Sequence, residues 1–321
     1  MKKCILAAFY FLWLSIVYGQ QDKQYTHYMF DLMSYNPATT GFKGFCGTLI
    51  YRNQWDRVQD APNTTLFNAQ GNLENLKLTS GNLGVGLSFS NDAIGFQRNN
   101  NIVVNVAYHL STGYGSLSGG VGFGIINVGF SPDWIPPLTA AALDPSIAPI
   151  NMDVSQTGFD SNLGLFWYGN EDYYVGISTT HLAPPNLSNV SYNVARHYYV
   201  LAGYKYDVGS KMIGSPNPID LRPGVLIKTD GVTSVFDVNV MADVWLDTES
   251  YIWGGFTYRY SDAIALMIGY AKNGLKFGYS FDIMTNPLNE YGKGTHELMV
   301  KYCLFPPKRP ITGGGLPTIL Q

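Results

Sequence analysis

The chain has 321 residues, of which only 13% are charged, and its formal net charge is −3. An aromatic content of 14% with so few charges excludes intrinsic disorder, which needs the opposite composition, and the charge balance gives no basic surface for nucleic acid. Together with 35 glycines, this composition favours strands whose outer surface meets lipid and whose connections are tight turns.

The first 19 residues predict a cleaved secretory signal peptide. Lys2 and Lys3 precede an apolar stretch over residues 5–17, and the small residues Val17 and Gly19 stand before a cut near Gln20. The competing interpretation is a retained membrane anchor, but the apolar stretch is shorter than the roughly 18 residues that an anchor needs.

Residues 20–44 form a polar and aromatic segment with no sustained period. It contains Tyr28 and Phe30, followed by Tyr35-Asn36-Pro37-Ala38, in which the Asn-Pro pair favours a turn. We expect a lead-in segment that lies either at the periplasmic end of the following domain or partly inside it.

From residue 45 onward the chain alternates apolar and polar residues, most clearly over residues 235–246. There, Phe236 and Val238 belong to an entirely apolar set, whereas Asp237 and Asn239 belong to a mixed one, as in a strand with one apolar face. The same alternation predicts fourteen strands, at residues 45–53, 64–72, 81–91, 100–111, 115–127, 159–169, 171–180, 196–207, 219–228, 232–246, 250–260, 263–271, 274–282 and 295–305.

A soluble sandwich alternates in the same way, so the lengths decide between the two environments. Strands of about 9–12 residues in an even number favour a transmembrane antiparallel β-barrel over a sandwich, whose strands run to about 5–6. The predicted barrel covers residues 45–305. With a periplasmic N-terminus, most long connections fall outside, including 54–63, 92–99, 128–158, 181–195 and 283–294, while 73–80 and 208–218 are long connections on the inner side.

The longest predicted connection, residues 128–158, is rich in proline and carries Trp134. A loop of this length is usually functional or disordered. We expect either a disordered loop that covers the end of the barrel or a loop that binds a partner through Trp134.

No pattern in the chain predicts catalysis, a cofactor or a metal. None of the five histidines pairs with another at metal-ligand spacing, and the hydrolase, zinc-protease and phosphate-loop motifs are missing from the sequence. The acids Asp56, Asp60 and Asp92 fall in predicted loops, where solvation is expected. Glycines at 120, 122 and 124 alternate with larger residues, which predicts glycines facing the lumen to make room or permit a bend.

Two cysteines remain after signal removal. Cys46 opens the first predicted strand and Cys303 nearly ends the last, and these strands are neighbours in a closed barrel of even strand number. The compartment is oxidising, so either a disulfide crosses the closure seam or two unpaired thiols share a register. Residues 306–321 then predict an extended periplasmic tail, disordered or available to a partner.

Several stretches in order along the mature chain resemble the PorP/SprF family of the Bacteroidota type IX secretion system. They are Tyr28-Met29-Phe30, Tyr35-Asn36-Pro37-Ala38, Tyr51-Arg52-Asn53-Gln54-Trp55, Asn91-Asp92-Ala93-Ile94-Gly95, Tyr173-Tyr174-Val175-Gly176-Ile177-Ser178, Leu221-Arg222-Pro223, Gly278-Tyr279-Ser280-Phe281-Asp282 and Gly294-Thr295-His296-Glu297.

The resemblance implies a non-enzymatic barrel in the bacterial outer membrane that supports secretion or surface attachment of large adhesins and gliding-motility proteins. Implied partners are the adhesin C-terminal domain, periplasmic ring lipoproteins and a peptidoglycan-binding protein. The motif residues are then structural or partner-contact positions. Candidates for partner contact are Tyr28, Phe30, Arg52, Trp55 and Trp134.

Two other functions stay open on the sequence. One is a passive channel for small solutes, lined by inward charges such as Arg52, Asp237, Asp243, Lys276 and Asp282. The other is a soluble periplasmic or secreted β protein.

Overall fold

The computed structural model describes residues 22–42, 44–73, 82–131, 153–169, 172–190, 192–208 and 217–304. The predicted signal peptide, Trp134 with most of its loop, and the tail 306–321 lie outside the described residues.

Fourteen antiparallel strands of the described chain close into one barrel, as the sequence predicts. Each strand pairs with the next along the chain, and the first strand pairs with the last. The barrel strands are β1 Cys46–Asn53, β2 Asn63–Asn72, β3 Leu83–Ile94, β4 Gln97–Thr112, β5 Gly115–Phe130, β6 Val154–Gly169, β7 Tyr173–Thr180, β10 His197–Tyr204 with its continuation β11 Tyr206–Asp207, β12 Ile219–Thr229, β13 Ser234–Trp245, β14 Ser250–Arg259, β15 Ala263–Lys272, β16 Leu275–Met284 and β17 Thr295–Cys303.

Strand β11 counts with β10 because both pair with β12 in a single register. Gly203 lies opposite Gly224, and three residues on, Tyr206 lies opposite Leu221. The short strands β8 Asn186–Leu187 and β9 Tyr192–Asn193 form a separate hairpin outside the barrel sheet.

The prediction of an outer loop at residues 92–99 is wrong. Strands β3 and β4 stay paired as far as Ile94 and Gln97, so only a two-residue turn separates them. Asp92, predicted to be a solvated loop acid, lies in β3, is 9% exposed and accepts a 2.5 Å hydrogen bond from Thr64. Polar residues also occupy strands when the backbone ladder and the lumen satisfy them.

The irregular stretch predicted at 128–158 is also shorter than expected. Strands β5 and β6 extend to Phe130 and Val154, which lie opposite each other in register.

The apolar face of each ribbon points outward, away from the lumen. On β13, Phe236 and Val238 are 37% and 41% exposed, whereas Asp237 and Asn239 are buried inside. On β15, Leu266 and Ile268 are also exposed. No second layer covers these described apolar residues, which excludes the sandwich and confirms a barrel with a lipid-facing surface.

Among the described residues, no helix is long and apolar enough to cross a membrane.

The two ends of the barrel differ. We call the end that carries Cys46 and Cys303 the disulfide rim. The two longest connections, 131–153 and 181–196, belong to the opposite rim. The disulfide rim has several turns as tight as 113–114 and 273–274, but it also has the connections 73–82 and 208–218, which are as long as 54–62 and 285–294 at the opposite rim.

The lumen is filled by residues 22–42, which we call the plug. It contains three 3₁₀ turns, Tyr28–Phe30, Leu32–Ser34 and Pro37–Thr39. Of the two placements expected for the lead-in segment, the structure has the one inside the barrel. The plug runs from Asp22 beside the opposite rim down to the disulfide rim, where β1 begins.

Candidate functional site: the plugged lumen

The last 3₁₀ turn of the plug follows directly from its Asn-Pro sequence. Asn36 Oδ1 accepts a 2.9 Å hydrogen bond from the Ala38 amide, and Pro37 occupies the first position, where a missing N–H costs nothing. Asn36 Nδ2 then donates to the carbonyl oxygens of Leu165 at 2.9 Å and Ile177 at 3.2 Å. One side chain therefore caps the turn and ties it to strands β6 and β7.

Lumen-facing glycines give the plug backbone room against the wall. A Cβ at Gly120 would lie 2.5 Å from Ala38 Cα, closer than such atoms come in proteins. A Cβ at Gly84 would overlap the Thr40 carbonyl, and one at Gly164 would overlap the Asn36 side chain. Of the three glycines predicted to face the lumen, Gly120 lies against the plug, whereas a Cβ at Gly122 or Gly124 would meet wall residues such as Val103.

Aromatic side chains of the plug form the largest hydrophobic core cluster of the described chain together with inward residues of the barrel. Phe30 packs on Trp253 with ring centroids 4.6 Å apart, and Tyr35 meets Tyr199 edge-on at 5.4 Å. Tyr28 is 1% exposed and receives a hydrogen bond from Asn239. This packing, at about 0.5–1.5 kcal/mol per aromatic pair beyond area burial, holds the plug in the lumen.

A buried ion-pair network joins the plug to the seam where β1 meets β17. Arg52 donates to Asp282 at 2.8 Å and to Glu297 at 3.0 Å. Glu297 accepts the backbone amides of Thr26 at 2.8 Å and His27 at 2.7 Å, and it also contacts His27 Nδ1 at 2.7 Å. All five residues are at most 1% exposed, so the charges are compensated inside the protein rather than by solvent.

Arg259 extends this network across the lumen. Its guanidinium lies 3.1 Å from Asp282 and 3.6 Å from Asp237, and Lys228 Nζ lies 3.6 Å from Asp237 on the other side. The Gln24 side-chain amide of the plug lies against both Arg259 and Lys228. Four of the five charges proposed for a channel lining are thus paired, since Asp243 also binds Arg222 at 2.6 Å. The fifth, Lys276, has no ion-pair partner among the described residues, and its Nζ lies 5.8 Å from the centre of the Phe30 ring of the plug.

The plug carries two further acids, and their environments move their pKa values in opposite directions. Burial raises the pKa of Asp31 and outweighs the hydrogen bonds from Ser34 and Asn68. Burial also acts to raise the pKa of Asp22, but the neighbouring His181 and Lys23 more than offset it and hold the pKa below its usual range.

Asp22 belongs to a small polar cluster at the opposite rim. Its carboxylate accepts a 2.8 Å hydrogen bond from the Tyr199 hydroxyl, and Oδ2 lies 3.9 Å from His181 Nε2. His181 Nδ1 lies 3.0 Å from Asp160. Burial lowers the pKa of His181, but the hydrogen bond with Asp160 and the charge of Asp22 raise it overall.

The cavities around this cluster have the size of water sites. One of about 50 Å³ is lined by Asp22, Tyr25, Asp160 and His181, and one of about 20 Å³ by Asp22, His197 and Lys228. A single water needs about 10–15 Å³ on this measure, so these cavities admit a few waters or an ion, not an organic solute.

The residues singled out from the sequence for partner contact divide into two groups. Tyr28, Phe30 and Arg52 are at most 2% exposed and face the lumen, so a partner meets them only if the plug leaves. Trp55 is half-buried at the opposite rim, where its amide donates to Thr295 Oγ1 at 3.3 Å.

Cys46 and Cys303 lie opposite each other in register, and the structure bonds their Sγ atoms at 2.08 Å.

Sequence patterns miss the plug's own partners. Thr26 and His27 belong to none of the quoted motifs, and the family-like stretch 294–297 does not reveal that Glu297 binds them. The five histidines show no metal spacing along the chain, yet Asp22, His181 and His197 converge in space. The inward charges Arg52, Asp282 and Glu297 could have predicted the ion-pair network from the sequence, because charges cannot stay unpaired in an enclosed lumen.

A family model described as type IX secretion system membrane protein PorP/SprF matches residues 17–302. No curated protein sequence matches the chain. Similar solved structures include the Ralstonia pickettii toluene transporter TbuX, at 10% identity over 84% of this chain and 92% of that one with a TM-score of 0.48. They also include a Pseudomonas aeruginosa FadL homologue (10% identity, 84% and 93% coverage, TM-score 0.47) and the Acinetobacter baumannii outer membrane protein Omp33 (9%, 81% and 96%, 0.41).

Proposed function

Because the chain belongs to the PorP/SprF family of type IX secretion system membrane proteins, we propose that it works as a plugged interaction component rather than as a solute channel. The family resemblance expected from the sequence is confirmed, and so is the outer-membrane location of the barrel. The finer role that we propose is support for secretion or surface attachment of large adhesin cargo, with contacts to periplasmic ring lipoproteins and a peptidoglycan-binding protein.

The observation that carries this proposal is the anchoring of the plug. Asn36 bonds two strand carbonyls, Glu297 binds two plug amides, and Lys301 Nζ donates to the Phe30 carbonyl at 2.7 Å. A hydrogen bond to a charged group contributes about 1.5–3 kcal/mol, so spontaneous release of a plug held by several such contacts is rare. A barrel sealed in this way offers its rims, rather than its lumen, to other molecules.

Connection lengths support a proposal for the side of the membrane that each rim faces. Bacterial barrels have short periplasmic turns and longer extracellular loops. On the strength of the two longest connections, we propose that the disulfide rim faces the periplasm, where ring lipoproteins would bind, and that the opposite rim faces the cell surface, where cargo would bind. Catalysis has no part in this proposal, and no cofactor is needed.

Two exposed tyrosines on opposite rims provide matched variants for the test. Tyr114 is 85% exposed on the turn between β4 and β5 at the disulfide rim, and Tyr291 is 73% exposed between β16 and β17 at the other rim. We expect Tyr114→Ser to reduce co-purification of ring lipoproteins from native membranes and to spare cargo. Tyr291→Ser should do the reverse.

Conductance in a planar bilayer separates this function from the passive channel. The purified barrel should give no stable open pore. A sustained conductance from the wild-type protein, together with unchanged partner recovery from both tyrosine variants, would establish the channel in its place.

A further inference from the structure

Three potential metal ligands from distant parts of the chain meet at the opposite rim. Asp22 begins the described plug, His181 follows β7, and His197 begins β10. His197 pairs in register with Thr180, which places His181 beside it, and the plug brings Asp22 between the two rings. One ligand atom from each residue lies within 4.8 Å of the other two.

The distances fit a shared ion better than a direct ion pair. His181 Nε2 and Asp22 Oδ2 are 3.9 Å apart, too far for a hydrogen bond. Two ligands bound at about 2.0–2.1 Å in a tetrahedral site stand about 3.3 Å apart, so a shift of roughly half an ångström brings this pair to coordination distance. The backbone amide of Asp22 now donates to His197 Nε2 at 3.3 Å, and an ion would replace that bond.

The surroundings orient His181 as a metal ligand. Asp160 is fully buried and lies 3.0 Å from His181 Nδ1, so the ring donates from Nδ1 and turns the lone pair of Nε2 toward Asp22. A carboxylate behind a histidine in this way fixes the ring tautomer in many metal sites. The Tyr199 hydroxyl similarly holds the Asp22 carboxylate, while the Lys23 ammonium donates to Ser90 Oγ at 2.6 Å.

We propose that Asp22, His181 and His197 bind one divalent transition-metal ion of the zinc class, with water completing its coordination. Two imidazoles and one carboxylate suit this class of ion, and the adjoining cavities supply room for the water. The ion fastens the leading end of the plug to the barrel. This inference does not rest on the secretion role proposed above.

Cobalt(II) is the probe, because its visible absorption reports the ligands. The full mature protein, purified in detergent with a tag that contains no histidine, is stripped with a chelator and titrated. We expect one equivalent of Co²⁺ to bind and one equivalent of Zn²⁺ to displace it. His181→Gln and His197→Gln, which preserve side-chain bulk, should each weaken binding at least tenfold.

Asp160→Asn tests the positioning role, and removal of that carboxylate should weaken binding by 10- to 100-fold. The matched control is His296→Gln, because His296 is half-buried near the start of β17 against Tyr279 and lies outside the cluster. Retention of the native heat-modifiable gel mobility shows that each variant is folded. Absence of stoichiometric binding by the wild type, or equal binding by the wild type and both folded ligand variants, would overturn the proposal.

Discussion

Gly120→Ala tests whether the plug's fit against the wall depends on the missing Cβ. The added carbon lies 2.5 Å from both Ala38 Cα and the Pro37 carbonyl carbon, and both neighbours are backbone, so the plug itself must move. Overpacking of this kind costs about 1–3 kcal/mol. The plug's opening equilibrium should therefore rise about 5- to 150-fold.

Amide hydrogen exchange of the plug measures that equilibrium directly. The amides of Thr39 and Thr40, which donate to Asn36 and Pro37 carbonyls within the turn, should exchange faster by the same factor. The matched control is Gly119→Ala, whose added Cβ points outward and meets only Leu165 Cδ2 at 3.8 Å. Equal exchange in the two variants would refute the close fit.

Three further predictions concern charge, the seam and pH. Arg52→Met leaves two buried carboxylates short of a cation, so the free energy of unfolding should fall by about 3–5 kcal/mol in denaturant titrations, whereas Arg57→Met, whose side chain is 73% exposed, should leave it nearly unchanged. We propose that the cysteine pair is oxidised in the cell, so Cys46→Ser should lower the free energy of unfolding by about 2–5 kcal/mol. A reductant should abolish this difference between the variant and the wild type. Two titratable thiols in the non-reduced wild type would contradict the proposal. Burial raises the pKa of Asp31, so the folded protein holds a proton that the unfolded chain releases. The stabilisation by protonated Asp31 is therefore present at low pH and is lost as the pH rises through the pKa of Asp31 in the folded state. Asp31→Asn should remove this pH dependence from the free energy of unfolding.

The barrel wall was predictable because its physical signal is local. Alternation through Phe236, Asp237, Val238 and Asn239 assigns each side chain to a face, and the lipid side tolerates apolar residues over a whole strand length. The wrong prediction of a loop at 92–99 has the same cause. A local pattern cannot show that polar residues such as Asp92 belong to a strand, because their partners lie on the opposite strand and in the lumen.

The plug was not predictable to the same degree because it has no period of its own. Its three 3₁₀ turns are too short for a repeating pattern, and their positions depend on contacts with residues more than 100 positions away, such as Asn36 with Leu165 and Thr26 with Glu297. Ligand spacing along the chain fails for the same reason at Asp22, His181 and His197, which only the closed barrel brings together.

The plug also takes part in closing the barrel. The seam pairs β1 with β17, the two strands farthest apart in the chain, so its formation carries a large loop-closure cost. Two inward cross-strand pairs fasten it, Cys46 with Cys303 at one rim and Arg52 with Glu297 about 20 Å along the strand. Thr26 and His27 bind that same glutamate from a segment contiguous with β1. The donors that bind Glu297 of β17, namely Thr26, His27 and Arg52, therefore lie close together in the sequence. The plug is for this reason part of the seam and not a separable gate.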